Sequence, residues 1–243
     1  MEKAPGGSAG PAGALWPLPL IGGLTPAIAA VAALWLSFAL DLIPPCNPFL
    51  DGCVSISRAA RHDLPNHVFR ALVLPAAVLQ ALTWMLCAAW LKGMQADARG
   101  MLRALPWLGV LAGAFLVLYG TFLGTEGQAY RWMRRYGVIF YFGFTYLCMV
   151  IASGALWRLA QAGAVALPAR LDRMLVALCV ATLAIGLIQV LAPPLLDNPD
   201  LKNRLENVLE WYAALAFTLF FLALSWAWRR ARLSALLGSN RQD

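Results

Sequence analysis

Apolar residues come in long uninterrupted runs along this chain, and polar residues are confined to the short segments between them. Six runs reach the length that a helix needs to cross the hydrocarbon core of a bilayer, roughly 20 residues. They lie at about Leu20–Leu40, His67–Leu91, Leu105–Leu123, Tyr136–Leu159, Met174–Leu191 and Glu210–Trp228. The pattern predicts an all-α fold, a polytopic six-helix transmembrane bundle. A disordered Gly/Ala/Pro-rich segment, 1–16, precedes a membrane domain at 17–234, and a tail follows at 235–243. Ala30-Val31-Ala32 has the small-x-small form of a cleavage site but sits inside the first run, so an uncleaved first span is expected.

Composition strengthens that picture. Hydrophobic residues make up 61% of the 243 residues and charged residues 13%, with a mean hydropathy of +0.67. A soluble domain carries about 25% charged residues. The net charge of +7 lies on short segments beside the membrane, where Lys and Arg meet anionic headgroups. No nucleic-acid partner is implied. The predominance of Arg over Lys, with abundant Ala and Leu, points to a GC-rich bacterial genome and an inner (plasma) membrane.

Six spans bring both termini to one side. Placing them in the cytoplasm gives 11 Lys/Arg inside and 8 outside, the direction of the positive-inside rule. Both termini are therefore expected to be cytoplasmic. The extracytoplasmic segments then hold eight acids, Asp41, Asp51, Asp63, Glu126, Asp197, Asp200, Glu206 and Glu210, against the eight bases. A mixed set of charges thus rings one mouth of the bundle.

Local signals refine the elements. Gly109, Gly113, Gly120 and Gly124 are spaced 4, 7 and 4 and fall within about 60° of one helix face. Such a stripe lets a neighbouring backbone approach closely. Pro75 interrupts the second run and predicts a kink. Thr125-Glu126-Gly127-Gln128 has the form of a capping box before the fourth span. Asn198-Pro199-Asp200 is a helix start, and the helix it opens should continue unbroken into the sixth span.

The chemistry-bearing residues gather in the extracytoplasmic segments. Ser55, Arg58, Arg61 and His62 stand at helical spacing in the first loop, predicting a short interfacial helix. Arg131, Arg134 and Arg135 share a face at the start of the fourth span, and a charge at mid-bilayer costs about 2.5–3.5 kcal/mol. They belong at the interface, snorkelling to headgroups, or in a polar cavity. One of them is expected to pair with Glu126, Glu206 or Glu210. Arg58, Arg61, Arg131, Arg134, Arg135, Glu206 and Glu210 are the candidate lipid-headgroup residues, because guanidinium groups grip phosphate and carboxylate in a bidentate way. Glu126, His62 and His67 are the candidate acid/base residues of an alternative reading, a membrane-embedded lipid-remodelling hydrolase or transferase. A third reading is a purely regulatory membrane protein. His62 and His67 lie five apart and no HExxH is present, so the spacing asks for no metal and no cofactor is implied. Cys46 and Cys53 flank NPFLDG in the first loop and are a candidate disulfide.

The loop PFLDGCVSISRAARHDLPNHVFR directly after the first span resembles the Frag/DRAM/Sfk family of six-span membrane proteins, with Pro48, Asp51, Gly52, Ser55, Ser57, Pro65 and Phe69 in the family's places. GTEGQAYRWMRRYGVIFYF resembles the family's turn into span four, except that Arg134 stands where relatives often carry His. The resemblance covers spans one to four. It implies six helices, cytoplasmic termini and a role in lipid organisation or remodelling, with membrane lipid as the partner.

Overall fold

A computed structural model describes residues 15–94, 100–163, 165, 167 and 170–231. Most of the 1–16 segment and all of the 235–243 tail lie outside the described residues. Seven α-helices are present among them and no strand: α1 (Pro17–Ala39), α2 (Ile56–Ala59), α3 (Asp63–Met94), α4 (Leu105–Phe122), α5 (Gln128–Gln161), α6 (Leu171–Leu191) and α7 (Pro199–Ala231). All but α2 are long and apolar enough to cross a membrane.

The six long helices close into a ring. α1 packs on α3 and α7, α3 on α4, α4 on α5, α5 on α6, and α6 on α7. The first and last spans are therefore neighbours. Trp16, just before α1, is anchored to the end of α7: its carbonyl accepts from Ser225 Oγ at 2.7 Å, and the Arg229 guanidinium lies 5.3 Å from its ring. Trp16 thus belongs to the folded body rather than to a disordered leader. The start of α1 and the end of α7 lie at one end of the bundle, termed here the termini end. The loop of residues 40–62 marks the opposite, loop end.

Helices α3, α5 and α7 begin earlier than the apolar runs do. The hydrophobic pattern stops at the first charges, but a helix does not have to. Asn198 shows why α7 starts where it does: its Oδ1 accepts from the N–H of Asp200 at 2.8 Å and of Leu201 at 3.2 Å, and Pro199 takes the first helical position. The expected unbroken passage into the sixth span is found. α5 is entered differently from the expectation. Gly127, with φ of 122°, is its N-cap, and no side chain caps it. The Thr125–Gln128 capping box does not form: the N-cap is Gly127, two residues beyond Thr125, and Gln128 Oε1 accepts from Arg131.

The glycine stripe packs as its spacing predicts. A Cβ on Gly109 would strike Trp84 of α3, and one on Gly113 would crowd the Ala77 carbonyl and Ala81. Gly120 faces Leu74 and Val73. Gly124 departs from the stripe: it lies beyond the end of α4 with φ of 84°, where a side chain would collide with the Arg61 carbonyl. Pro75 lies inside α3, which continues through it. Towards the termini end the core is aromatic. Trp84 packs on Phe220 and Phe221, and Trp90 meets Trp228 edge to face. Hydrogen bonds cross the bundle as well: Tyr141 donates to Gln80 Oε1 at 3.1 Å, and Gln80 Nε2 donates to the Gly22 carbonyl at 2.9 Å. α5, α3 and α1 are thereby tied together inside the membrane layer, where no water competes.

Candidate functional site

The loop end is organised by the chain between α1 and α3. Asn47 begins a tight turn: its side chain accepts from the N–H of Phe49 at 3.0 Å, and Asp51 Oδ2 accepts from the N–H of Asn47 at 2.9 Å. Cys46 and Cys53 close this turn with a disulfide, their Cα atoms 6.6 Å apart. The closed turn lies against α7. Asn207 donates to the Gly52 carbonyl at 2.7 Å, Trp211 Nε1 donates to the Val54 carbonyl at 2.9 Å, and Phe49 packs on the rings of Trp211 and Tyr212. Gly52 has φ of 59°, and the Arg204 backbone comes so close that no Cβ would fit.

That clamp sets the position of α2. Ser55 caps it, accepting from the N–H of Arg58 at 3.2 Å. The Glu210 carboxylate, carried by α7, accepts from the N–H of Ser57 at 3.3 Å. From α1, Ser37 donates to the Ala59 carbonyl at 2.6 Å. Asn66, buried at the start of α3, donates to the carbonyls of Ala60 at 2.9 Å and Leu123 at 3.0 Å. Three helices, α1, α3 and α7, thus hold one turn of helix, and the Ser57 side chain points to Tyr119 of α4, with the two hydroxyl oxygens 2.9 Å apart.

On one side of this hydroxyl pair lies an open basin of about 550 Å³. Ser57, Arg61, Tyr119, Gln128, Arg131 and Trp132 line it, with Arg134, Arg135, Tyr136 and Val138 completing the wall. Four of its residues are arginines and none is an acid. Two of the four are held in place. Arg134 donates to the carbonyls of Phe122 and Thr125, which close the C-terminal end of α4, a position where a cation is favoured by the unpaired carbonyls. Arg131 donates to Gln128 Oε1. Arg61 has a buried Nε with no partner. On the other side of Tyr119 lies a separate apolar crevice between the helices, bordered by Glu210.

The expected pairing of an arginine with Glu126, Glu206 or Glu210 is not what the fold builds. Arg134 is taken up by the end of α4, and the Glu210 carboxylate faces the start of α2. Each charge satisfies a helix end in place of the other, so the wall of the basin is not mixed: four arginines line it and no acid does. Arg61, Arg131, Arg134 and Arg135 come together as headgroup candidates. Arg58 is exposed on α2, Glu206 is half-buried on α7, and neither lines the basin. His62, His67 and Glu126 are exposed and border neither cavity. Among the described residues no three His, Cys, Asp or Glu side chains gather as a metal site would need.

Several residues that shape the site carried no sequence signal of their role. Tyr119 sits in a wholly apolar run, and Asn66 and Asn207 read as ordinary polar residues near helix starts. Ser57 was marked only as one of the loop residues that carry the family resemblance, with no role attached. A polar residue on the inward face of a membrane helix is the one mark that could have picked out Asn66 and Asn207. No known family pattern, no characterised protein and no solved structure matches this chain.

Proposed function

We propose that this chain is an integral membrane protein that holds the anionic headgroup of a lipid in the four-arginine basin, on the extracytoplasmic side of the membrane. The basin itself carries the reading. Four guanidinium groups share about 550 Å³ with no carboxylate in the wall, and Arg61 Nε is buried without an acceptor. Like charges repel at this range, and a buried N–H without a partner costs about 1–3 kcal/mol. An anion with several acceptor oxygens relieves both. Phosphate fits the planar donor fork of arginine. The flanking Trp132 and Tyr136 are side chains favoured at the membrane–water boundary, which supports a lipid over a free solute as the occupant. A role in lipid organisation is also what the resemblance to Frag/DRAM/Sfk proteins implies.

The test is lipid identification by native mass spectrometry of the protein released from nanodiscs of mixed composition. Phosphate-bearing anionic lipid should be retained over phosphatidylcholine, and Arg61→Gln with Arg131→Gln should abolish the preference while the helical content stays intact. Equal retention of zwitterionic and anionic lipid by the native chain would overturn the reading.

A further inference from the structure

The basin is not the only space at Tyr119. An apolar crevice begins on the inner side of the same side chain and runs down the axis of the ring. On α7 its wall extends from Glu210 to Phe221, and on α3 from Phe69 to Gln80. At about 1.5 Å per helical residue, each stretch is about 16 Å long. The room inside is about 70 Å³. Over that length the space is narrow, and it suits a slender occupant such as one hydrocarbon chain rather than a second helix.

Its wall suits a hydrocarbon. Ala27, Ala30, Val73, Leu116 and Phe217 are among the residues that line it. The polar groups that reach it are already engaged: Gln80 with Gly22 and Tyr141, Thr218 with the Ala214 carbonyl, Glu210 with the Ser57 N–H. An apolar occupant would break none of these hydrogen bonds.

The crevice and the basin are neighbours, with Tyr119 between them. Tyr119 and Val138 border both spaces. Ile56 faces the crevice while its neighbour Ser57 faces the basin. The hydrogen bond between Ser57 and Tyr119 therefore stands where the two meet. We infer that the crevice is an acyl-chain site, and that the bound molecule is an anionic phospholipid with its phosphate in the basin and one chain threaded past Tyr119 into the bundle. The inference rests on the headgroup reading above and adds the class of ligand: a lipid with a chain able to leave the bilayer singly.

The experiment compares glycerol phosphate with lysophosphatidic acids of increasing chain length, from hexanoyl to hexadecanoyl, binding to the purified full-length protein. Affinity should rise by about tenfold or more from glycerol phosphate to the longer chains, since each buried methylene contributes about 0.8 kcal/mol. Micelle partitioning would also reward longer chains, so the crevice is filled in a parallel variant. Ala214→Phe, or Ala27→Phe if the first does not fold, should remove the gain while glycerol phosphate binds as before. A lysophosphatidic acid carrying a diazirine at the chain end should crosslink to Phe217, Phe221 or Gly23 in the native protein. Crosslinks confined to the lipid-facing Trp132 and Phe140, with the filled variants behaving as the native chain does, would overturn the acyl-chain site and leave the headgroup reading standing. Absence of binding by every phosphate-bearing probe would overturn both.

Discussion

At the scale of single residues, the loop end is held by side chains that satisfy backbone groups of another element. Asn66 is the clearest case. Its amide donates to the carbonyls of Ala60 and Leu123, which are the last turn of α2 and the end of α4. Replacing it with Ala removes both donors and leaves two carbonyls short of a partner. A loss of about 1–3 kcal/mol is expected, read as a lower midpoint of thermal unfolding in detergent. Asn66→Asp should be at least as damaging, because a carboxylate presents oxygens to carbonyl oxygens. An unchanged midpoint in both variants would mean that the α2–α3–α4 junction is held by packing alone. Arg134 has the same kind of task and a second one. It closes α4 through Phe122 and Thr125 and also lines the basin. Arg134→Lys keeps the charge but not the planar fork of donors. It should therefore preserve part of the anionic-lipid preference while lowering stability, whereas Arg134→Gln should lose both. The arginine cluster was legible in the sequence, since three arginines on one face of a span demand an interface or a cavity. Which groups they serve was not. A carbonyl at a helix end has no sequence signature, and it competed successfully with the carboxylates for Arg134.

At the scale of elements, helix existence was written in the apolar runs and helix ends were not. Periodicity follows burial, so it fades where the chain leaves the bilayer even though the helix goes on; the start of α7 was legible only through its Asn198-Pro199 cap, and the start of α5, capped by Gly127, was not. The glycines separate the two kinds of small residue. Gly109 and Gly113 let α4 approach α3, and a methyl group would meet Trp84 or the Ala77 backbone. Gly154 and Gly186 have open space where a Cβ would be. Gly109→Ala should therefore destabilise by about 1–3 kcal/mol, the range for forcing extra volume into a packed contact. Gly154→Ala should be neutral or stabilising by up to about 1 kcal/mol, the difference in helix propensity. Thermal unfolding of the two variants side by side reads this directly, and equal effects would contradict the close packing of α4 on α3. The stripe failed only at Gly124, where the chain has already left the helix. A spacing rule cannot see where a helix stops. Gly124 is there for its left-handed backbone and for the Arg61 carbonyl beside it.

At the scale of the whole molecule, the ring brings the start of α1 and the end of α7 together through Trp16, Ser225 and Arg229. It gathers the basin, the disulfide turn and α2 at the opposite end. The relative arrangement is built into the fold, while the side of the membrane is a separate matter on which charge bears. The Lys/Arg bias of 11 to 8 favours a cytoplasmic termini end. The Cys46–Cys53 bond is consistent with a loop end in an oxidising compartment. Both arguments favour the reading in which the arginine basin meets the outer leaflet. Two exposed positions discriminate. Leu50 lies at the tip of the disulfide turn and Met101 lies just before α4 at the termini end, and both are well exposed. The native cysteines give little background, since Cys46 and Cys53 are bonded and Cys87, Cys148 and Cys179 are buried. In intact cells, a membrane-impermeant maleimide should label Leu50→Cys at once and Met101→Cys only after the membrane is opened. The reverse pattern would turn the basin toward the cytoplasm. It would also recast its ligand as an inner-leaflet lipid, without changing the geometry that holds the phosphate.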